Sequence, residues 1–462
     1  MWLQRYLKNN FDIEFPTQEQ LENLRYYKYA AVDKSYVTKY ILSHYWNWAI
    51  TLFPMWIAPN LITLIGLGFM VSNVLLVVYY VPDLGIDAPN WIYFSFAAGL
   101  WLYSTFDNVD GKQARRTGTS SPLGELFDHG CDALNTAFVS ILQCAALGLG
   151  HTQNSLIIFI TTVFGFYMST AEEYYTKVLY LGVVNGPTEG ILLTCFAFIW
   201  SGFNGAASWH VPLSKGIPFV APLFPNGTTA ADVFVWALVL SFVFTLLIPC
   251  LHSIYTVCRD KKQDWVEAYA NVLFPIIVFA LAEFCWVMSP TSAILKGEHL
   301  CLFALTVGML FGLMASNIIL AHLTRSPYPN LGFIVAPVVV MAILVNSDLL
   351  ISIRILSSNV EIGLLWAMFV VGFISYGVWA TLVIDGFCRF LGIRCLVIRR
   401  QKQPEHRIDV EADPEADALL DAEEAAAAAD VAGGSSSASN SAGASTRRPA
   451  DDDGRNSYST FH

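Results

Sequence analysis

The chain has 462 residues, 55% of them hydrophobic and 14% charged, with a mean hydropathy of +0.49. A soluble protein carries about 25% charged residues, so this composition excludes an ordinary soluble globule and points to a polytopic membrane protein. The formal charge of −11 arises mainly in residues 401–462, which hold 13 acidic and 5 basic residues; the rest is close to neutral and offers no basic face for nucleic acid.

The opening MWLQRYLKNNFDIEF has no apolar run of signal-peptide length, so the first span is expected to act as its own insertion signal. Residues 17–29 read as a short amphipathic helix. Thr17 and Gln20 have capping-box spacing, and Leu21, Leu24 and Tyr27 form an apolar face suited to the membrane interface. Trp46 and Trp48 read as interfacial anchors.

A membrane span needs about 20 apolar residues. Ten stretches qualify, at about 60–81, 90–106, 125–149, 155–171, 179–202, 231–257, 266–288, 299–322, 331–348 and 361–390. An even number puts both termini on one side. If that side is the cytosol, 23 of the 26 Lys and Arg residues face it, and only Lys215, Lys296 and Arg354 do not. The expected topology therefore has both termini and residues 107–124 cytosolic. Asn226-Gly227-Thr228 falls in a lumenal loop as a glycan acceptor sequence. The nine cysteines contain no CxxC pair and read as packing residues. Beyond residue 400 the chain turns Ala/Asp/Glu-rich and then Ser/Gly/Ala-rich. That composition cannot bury a core and predicts a disordered tail.

One polar stretch interrupts the apolar pattern: DNVDGKQARRTGTSSPLGELFDHGCD, residues 107–132. Asp107 and Asp110 are three apart at the end of the second span; Asp128 and Asp132 are four apart at the start of the third. Such pairs share a helix face. The linker with Gly118 and Pro122 can turn the chain, so four carboxylates can converge between antiparallel neighbours. Clustered anions repel strongly at low dielectric and require cations. Oxygen-only ligands suit Mg²⁺, Mn²⁺ or Ca²⁺, and two such ions about 4 Å apart form a device for phosphoryl displacement. Gly111 and Gly124 permit close approach of a helix or a phosphate, and Arg115 can grip a phosphate bidentately. His129 is a candidate base, with Glu125 one turn before it to orient the ring. Lys112 and Arg116 read most simply as positive-inside residues.

This stretch resembles the signature of the CDP-alcohol phosphotransferases, D-x2-D-G-x2-A-R-x8-G-x3-D-x3-D. Asp107, Asp110, Gly111, Ala114, Arg115, Gly124, Asp128 and Asp132 fill every fixed position. The segments YKYAAVDKSYVTKYIL, PNLIT, SSPLGELFDHGCDALNT and NGPTEG are similar to the eukaryotic choline/ethanolaminephosphotransferase branch, over about residues 25–395. The resemblance implies an all-α polytopic membrane fold. It implies a cytosolic N-terminal segment 1–45, a catalytic six-helix core 46–257 and four further helices 258–400, with the tail 401–462 outside it. Asp107, Asp110, Asp128 and Asp132 match ligands of two Mg²⁺ ions, for which Mn²⁺ can substitute. Asn60, Gly111, Arg115 and Gly124 match the CDP-alcohol site. His129 resembles the catalytic base and Glu125 the glutamate that raises its basicity, with Asp132 the base in other branches.

The implied partners are CDP-choline or CDP-ethanolamine and diacylglycerol, with no nucleic acid. The implied setting is a homodimer in the endoplasmic reticulum or Golgi membrane. Two alternatives stand beside this reading. One is a CDP-diacylglycerol-dependent phospholipid synthase. The other is a cation-coupled transporter, against which the one-sided acids and the lack of repeats argue. Tyr103, Phe106, Glu172, Glu173, Tyr174 and Tyr175 are expected at the mouth. An aromatic and acidic pocket without a strict acceptor array predicts use of both amines within about tenfold.

Overall fold

The computed structural model describes residues 15–216 and 221–398. The first fourteen residues and the tail 401–462 lie outside the described residues. The described chain is almost wholly helical. Its longer helices are α1 (Pro59–Tyr80), α2 (Trp91–Thr117), α3 (Pro122–Ala146), α4 (Gln153–Thr176), α5 (Ile191–Asn204), α6 (Ala230–Asp260), α7 (Trp265–Val287), α8 (Leu300–Leu323), α9 (Gly332–Val345) and α10 (Ser358–Leu391).

Each expected span falls on one of these helices. Among the described residues six are long and apolar enough to cross a membrane: α1, α4, α6, α7, α8 and α10. Two others fall short because they carry the charged motif (α2 and α3), and two because they run to only 14 residues (α5 and α9). The expected fifth span is corrected at its start. Leu179–Leu181 form a short strand, β2, that pairs in parallel with β1 (Ala31–Asp33), so helical chain begins only at Gly186, capped by Asn185.

Helices α1, α2 and α3 pack on one another, and α8 packs along α3, α4 and α10. Accordingly α3 and α8 are the most buried, while α6 and α10 expose most of their surface, as lipid-facing helices do. The turn that delivers the motif has a specific cause. Gly118, at φ +66°, closes α2; Thr119 N–H donates to Ala114 O at 2.9 Å and Gly118 N–H to Arg115 O at 3.3 Å. This is a paired αL helix cap that only a residue without Cβ adopts freely. Three residues later Ser121 caps α3, its Oγ accepting from Gly124 N at 3.3 Å, with Pro122 at the first helical position. The chain reverses within four residues, and α2 and α3 run antiparallel from a common end.

The N-terminal segment straps that end. The Thr17–Gln20 capping box forms in both directions, at 3.0 and 3.2 Å. The helix it starts runs only over Gln18–Asn23, then tightens and gives way to extended chain at Tyr27. Leu24, expected to face the membrane interface, is buried against Leu123, Leu126, Leu320 and Phe387. Asn23 Nδ2 donates to Thr324 O at 2.8 Å, and Arg325 Nη2 to Tyr26 O at 3.1 Å. Lys112 and Arg116 fix the next segment, donating to Asn47 Oδ1 and to the carbonyls of Ile50 and Phe53. Trp46 is buried and Trp48 exposed. The nine cysteines are free.

Candidate active site

The motif residues sit on the facing ends of α2 and α3. Carboxylate oxygens of Asp107, Asp128 and Asp132 lie within 4.8 Å of one another. Asp110 stands outside this set, and its Oδ2 accepts a short hydrogen bond from Thr63 Oγ1 on α1. Tyr103 Oη, one turn before Asp107 on α2, donates another to Asp132 Oδ1. Two buried oxygens, Asp107 Oδ1 and Asp128 Oδ1, have no hydrogen-bond partner among the described residues. Buried carboxylate oxygens without donors are costly, and an oxygen-only set of converging acids is what a hard divalent cation demands. These residues fit a divalent metal.

The flanking residues leave space for a ligand. A Cβ on Gly111 would meet only the Arg115 guanidinium, at 3.7 and 3.9 Å; one on Gly124 would meet Asn60 Oδ1 at 3.8 Å and Ser121 Oγ at 3.9 Å. Helix packing therefore requires neither glycine. Arg115 is exposed at the mouth, whereas Asn60 is buried, its Nδ2 donating to Cys395 Sγ at 3.5 Å. The segment after α10 thus packs against Asn60, a contact that sequence spacing does not foretell.

Behind the aspartates lies a second polar cluster. The carboxylate that faces His129 Nδ1 is Glu173 at the end of α4, at 3.7 Å, and not Glu125. Glu125 Oε2 instead accepts from Tyr27 Oη at 2.5 Å, and its Oε1 lies 3.9 Å from His322 Nε2 at the end of α8. Burial first, and then the Glu125 charge, push the Tyr27 phenol well above its ordinary value of 10. Ligand atoms of Glu125, Glu173 and His322 lie within 4.8 Å of one another.

Of the expected mouth residues, Glu172 is withdrawn, accepting from Cys250 Sγ at 3.0 Å. Tyr174 and Tyr175 pack with Tyr328 and not over the aspartates, and Phe106 packs edge-on against Phe53 and Phe69. His322 and Thr63 gave no sequence signal of their own. A histidine at the end of an apolar helix and a threonine inside one are usual, although Thr63 lies within the PNLIT segment.

A buried carboxylate cluster at the paired ends of two helices in an apolar bundle fits an enzyme that handles a charged substrate. A family model of the CDP-alcohol phosphatidyltransferases matches residues 56–246. The chain is 34% identical over 404 residues to choline/ethanolaminephosphotransferase 1 of Saccharomyces cerevisiae, covering 84% of this chain and 99% of that protein. It is 37% identical over 315 residues to choline/ethanolaminephosphotransferase 1 of Arabidopsis thaliana, covering 66% and 77%. It is 36% identical over 333 residues to cholinephosphotransferase 1 of S. cerevisiae, covering 69% and 81%. The chain belongs to the CDP-alcohol phosphatidyltransferase family.

Proposed function

We propose that this protein transfers phosphoethanolamine, phosphocholine or both from the CDP-alcohol to diacylglycerol, releasing CMP. The observation that carries the reading is the convergence of Asp107, Asp128 and Asp132, with buried oxygens that have no partner among the described residues, beside a histidine. The names of its relatives support the substrate class. Asp107, Asp110, Asp128 and Asp132 would hold two Mg²⁺ ions, with Mn²⁺ able to substitute, and these supply neutralisation of the pyrophosphate charge. Arg115 and Asn60 grip the CDP-alcohol beside Gly111 and Gly124. His129 takes the proton from the free hydroxyl of diacylglycerol. The hydroxyl oxygen bonds to the β-phosphorus as the bond to the CMP oxygen breaks, and CMP leaves with the electron pair. Glu173, whose carboxylate lies 3.7 Å from His129 Nδ1, supports the charge that the ring acquires.

An oil and a highly charged nucleotide meet only where membrane and water meet, and this reading puts the paired ends of α2 and α3 there. The same reading places the enzyme in the endoplasmic reticulum or Golgi membrane, as a homodimer with site and termini cytosolic. Purified full-length protein in lipid nanodiscs, given diacylglycerol, Mg²⁺ and each CDP-alcohol, should release CMP and form the matching phospholipid. No product from either CDP-alcohol, with product from CDP-diacylglycerol and a free alcohol, would assign it to the other branch.

A further inference from the structure

Tyr103 is expected from the sequence at the mouth of the site, lining a head-group pocket. The structure gives it another place. It is 2% exposed, one turn before Asp107 on α2, and its hydroxyl donates across to Asp132 Oδ1 on α3. Helix α1 closes the ring in from the other side. A Cβ on Gly66 would meet Tyr103 Cδ2 at 3.7 Å and Phe106 Cβ at 3.0 Å, so the glycine lets α1 lie against this turn of α2. A ring enclosed in this way offers no face to a substrate, and its hydroxyl is committed to one carboxylate.

The other two aspartates of the set differ. Asp107 Oδ1 and Asp128 Oδ1 are buried with no partner among the described residues, as oxygens kept for a metal would be. Asp132 Oδ1 has a donor. Helix α3 runs inward from its cap at Ser121, and α2 runs the other way, so Asp132 lies one turn inside Asp128 and Tyr103 one turn inside Asp107. Together they form the inner floor of the set. A carboxylate without a donor turns about its Cβ–Cγ bond, whereas one held by a buried phenol keeps its face toward the ion. Removing a hydrogen-bond partner that orients a metal ligand costs about 10–100-fold in metal affinity.

We infer that Tyr103 is a positioning residue of the metal site: its hydroxyl holds Asp132 turned toward Asp107 and Asp128, and its ring contacts no substrate. This rests on the metal-assisted transfer proposed above. Loss of the hydroxyl weakens Mg²⁺ binding and leaves the KM for either CDP-alcohol unchanged once Mg²⁺ is saturating.

The test is Tyr103→Phe in the full-length enzyme, which keeps the ring that α1 packs on and removes one oxygen. Thermal unfolding in detergent is followed through a Mg²⁺ titration without substrate, beside CMP release at each Mg²⁺ concentration. The half-saturating Mg²⁺ for stabilisation should rise about 10–100-fold, and kcat at saturating Mg²⁺ should return to within severalfold of wild type. Tyr93→Phe is the control. Tyr93 is fully buried on the same helix, its Oη without a partner among the described residues, about 15 Å along α2 from Tyr103. It should leave the half-saturating Mg²⁺ unchanged. An unchanged value in Tyr103→Phe, or an equal shift in both variants, overturns the inference. So does a Tyr103→Phe protein that melts low at every Mg²⁺ concentration, which makes the hydroxyl a support of the fold, and so does a KM raised for one CDP-alcohol alone, which returns the ring to the head group. A wild-type Tm indifferent to Mg²⁺ overturns instead the metal site on which the transfer reading stands.

Discussion

Replacing Asp107 by Asn separates the cost of the aspartate cluster from its use. At the 4.8 Å limit and an effective dielectric of 20, each ionised pair among Asp107, Asp128 and Asp132 repels by about 3.5 kcal/mol. Asp107→Asn removes two of the three pairs. Proton uptake and water penetration already relieve most of that repulsion in the wild type, leaving a gain on the order of 1–2 kcal/mol. At about 2–4 °C per kcal/mol, the variant should melt a few degrees above wild type in chelator. Mg²⁺ at a hundred times its Kd should stabilise the wild type by about 2.7 kcal/mol and the variant much less, so the order of the two Tm values reverses when metal is added. The assay is thermal unfolding in detergent by intrinsic Trp fluorescence, with and without Mg²⁺, beside CMP release, which should vanish in the variant. A wild-type Tm indifferent to Mg²⁺, or a variant that melts below wild type in chelator, would refute the argument.

Three further outcomes are expected. His129→Ala should lose about 10²–10⁴-fold in kcat with CDP-alcohol binding kept; undiminished turnover by the folded variant would move the base to Asp132. Glu361, 2% exposed, accepts from Trp286 Nε1, Ser292 Oγ and Ala293 N at 2.8, 2.8 and 2.9 Å. Glu361→Ala strands these buried donors and should cost about 3–5 kcal/mol, read as a lower Tm with kcat per folded molecule unchanged; an unchanged Tm would contradict it. Deleting residues 405–462 should leave specific activity unchanged, and a severalfold change in kcat would reveal a regulatory tail.

The helices were legible because an apolar run of span length can satisfy its backbone in lipid only by coiling, and each of the ten stretches falls on a helix. The aspartate cluster was legible because helix periodicity alone puts Asp107 with Asp110, and Asp128 with Asp132, on common faces. Two things were hidden. Val178 to Val184 is apolar enough to pass for the start of a span, and only its pairing with Ala31–Asp33 makes it a strand. Glu125 was matched with His129 because they are four apart on one helix, but spacing along α3 says nothing of what α4 and α8 bring. Tertiary packing places Glu173 at His129 and turns Glu125 toward Tyr27 and His322.

Those partners show how one helix serves two polar clusters. Successive residues of α3 turn by about 100°, so Asp128 and Asp132 share one side, while Glu125 and His129 lie about 60° round. The first pair meets Asp107 of α2; the second meets Glu173 of α4 and His322 of α8. His129 lies between the two sets: Asp128 precedes it in the chain, and Glu173 faces its Nδ1 at 3.7 Å.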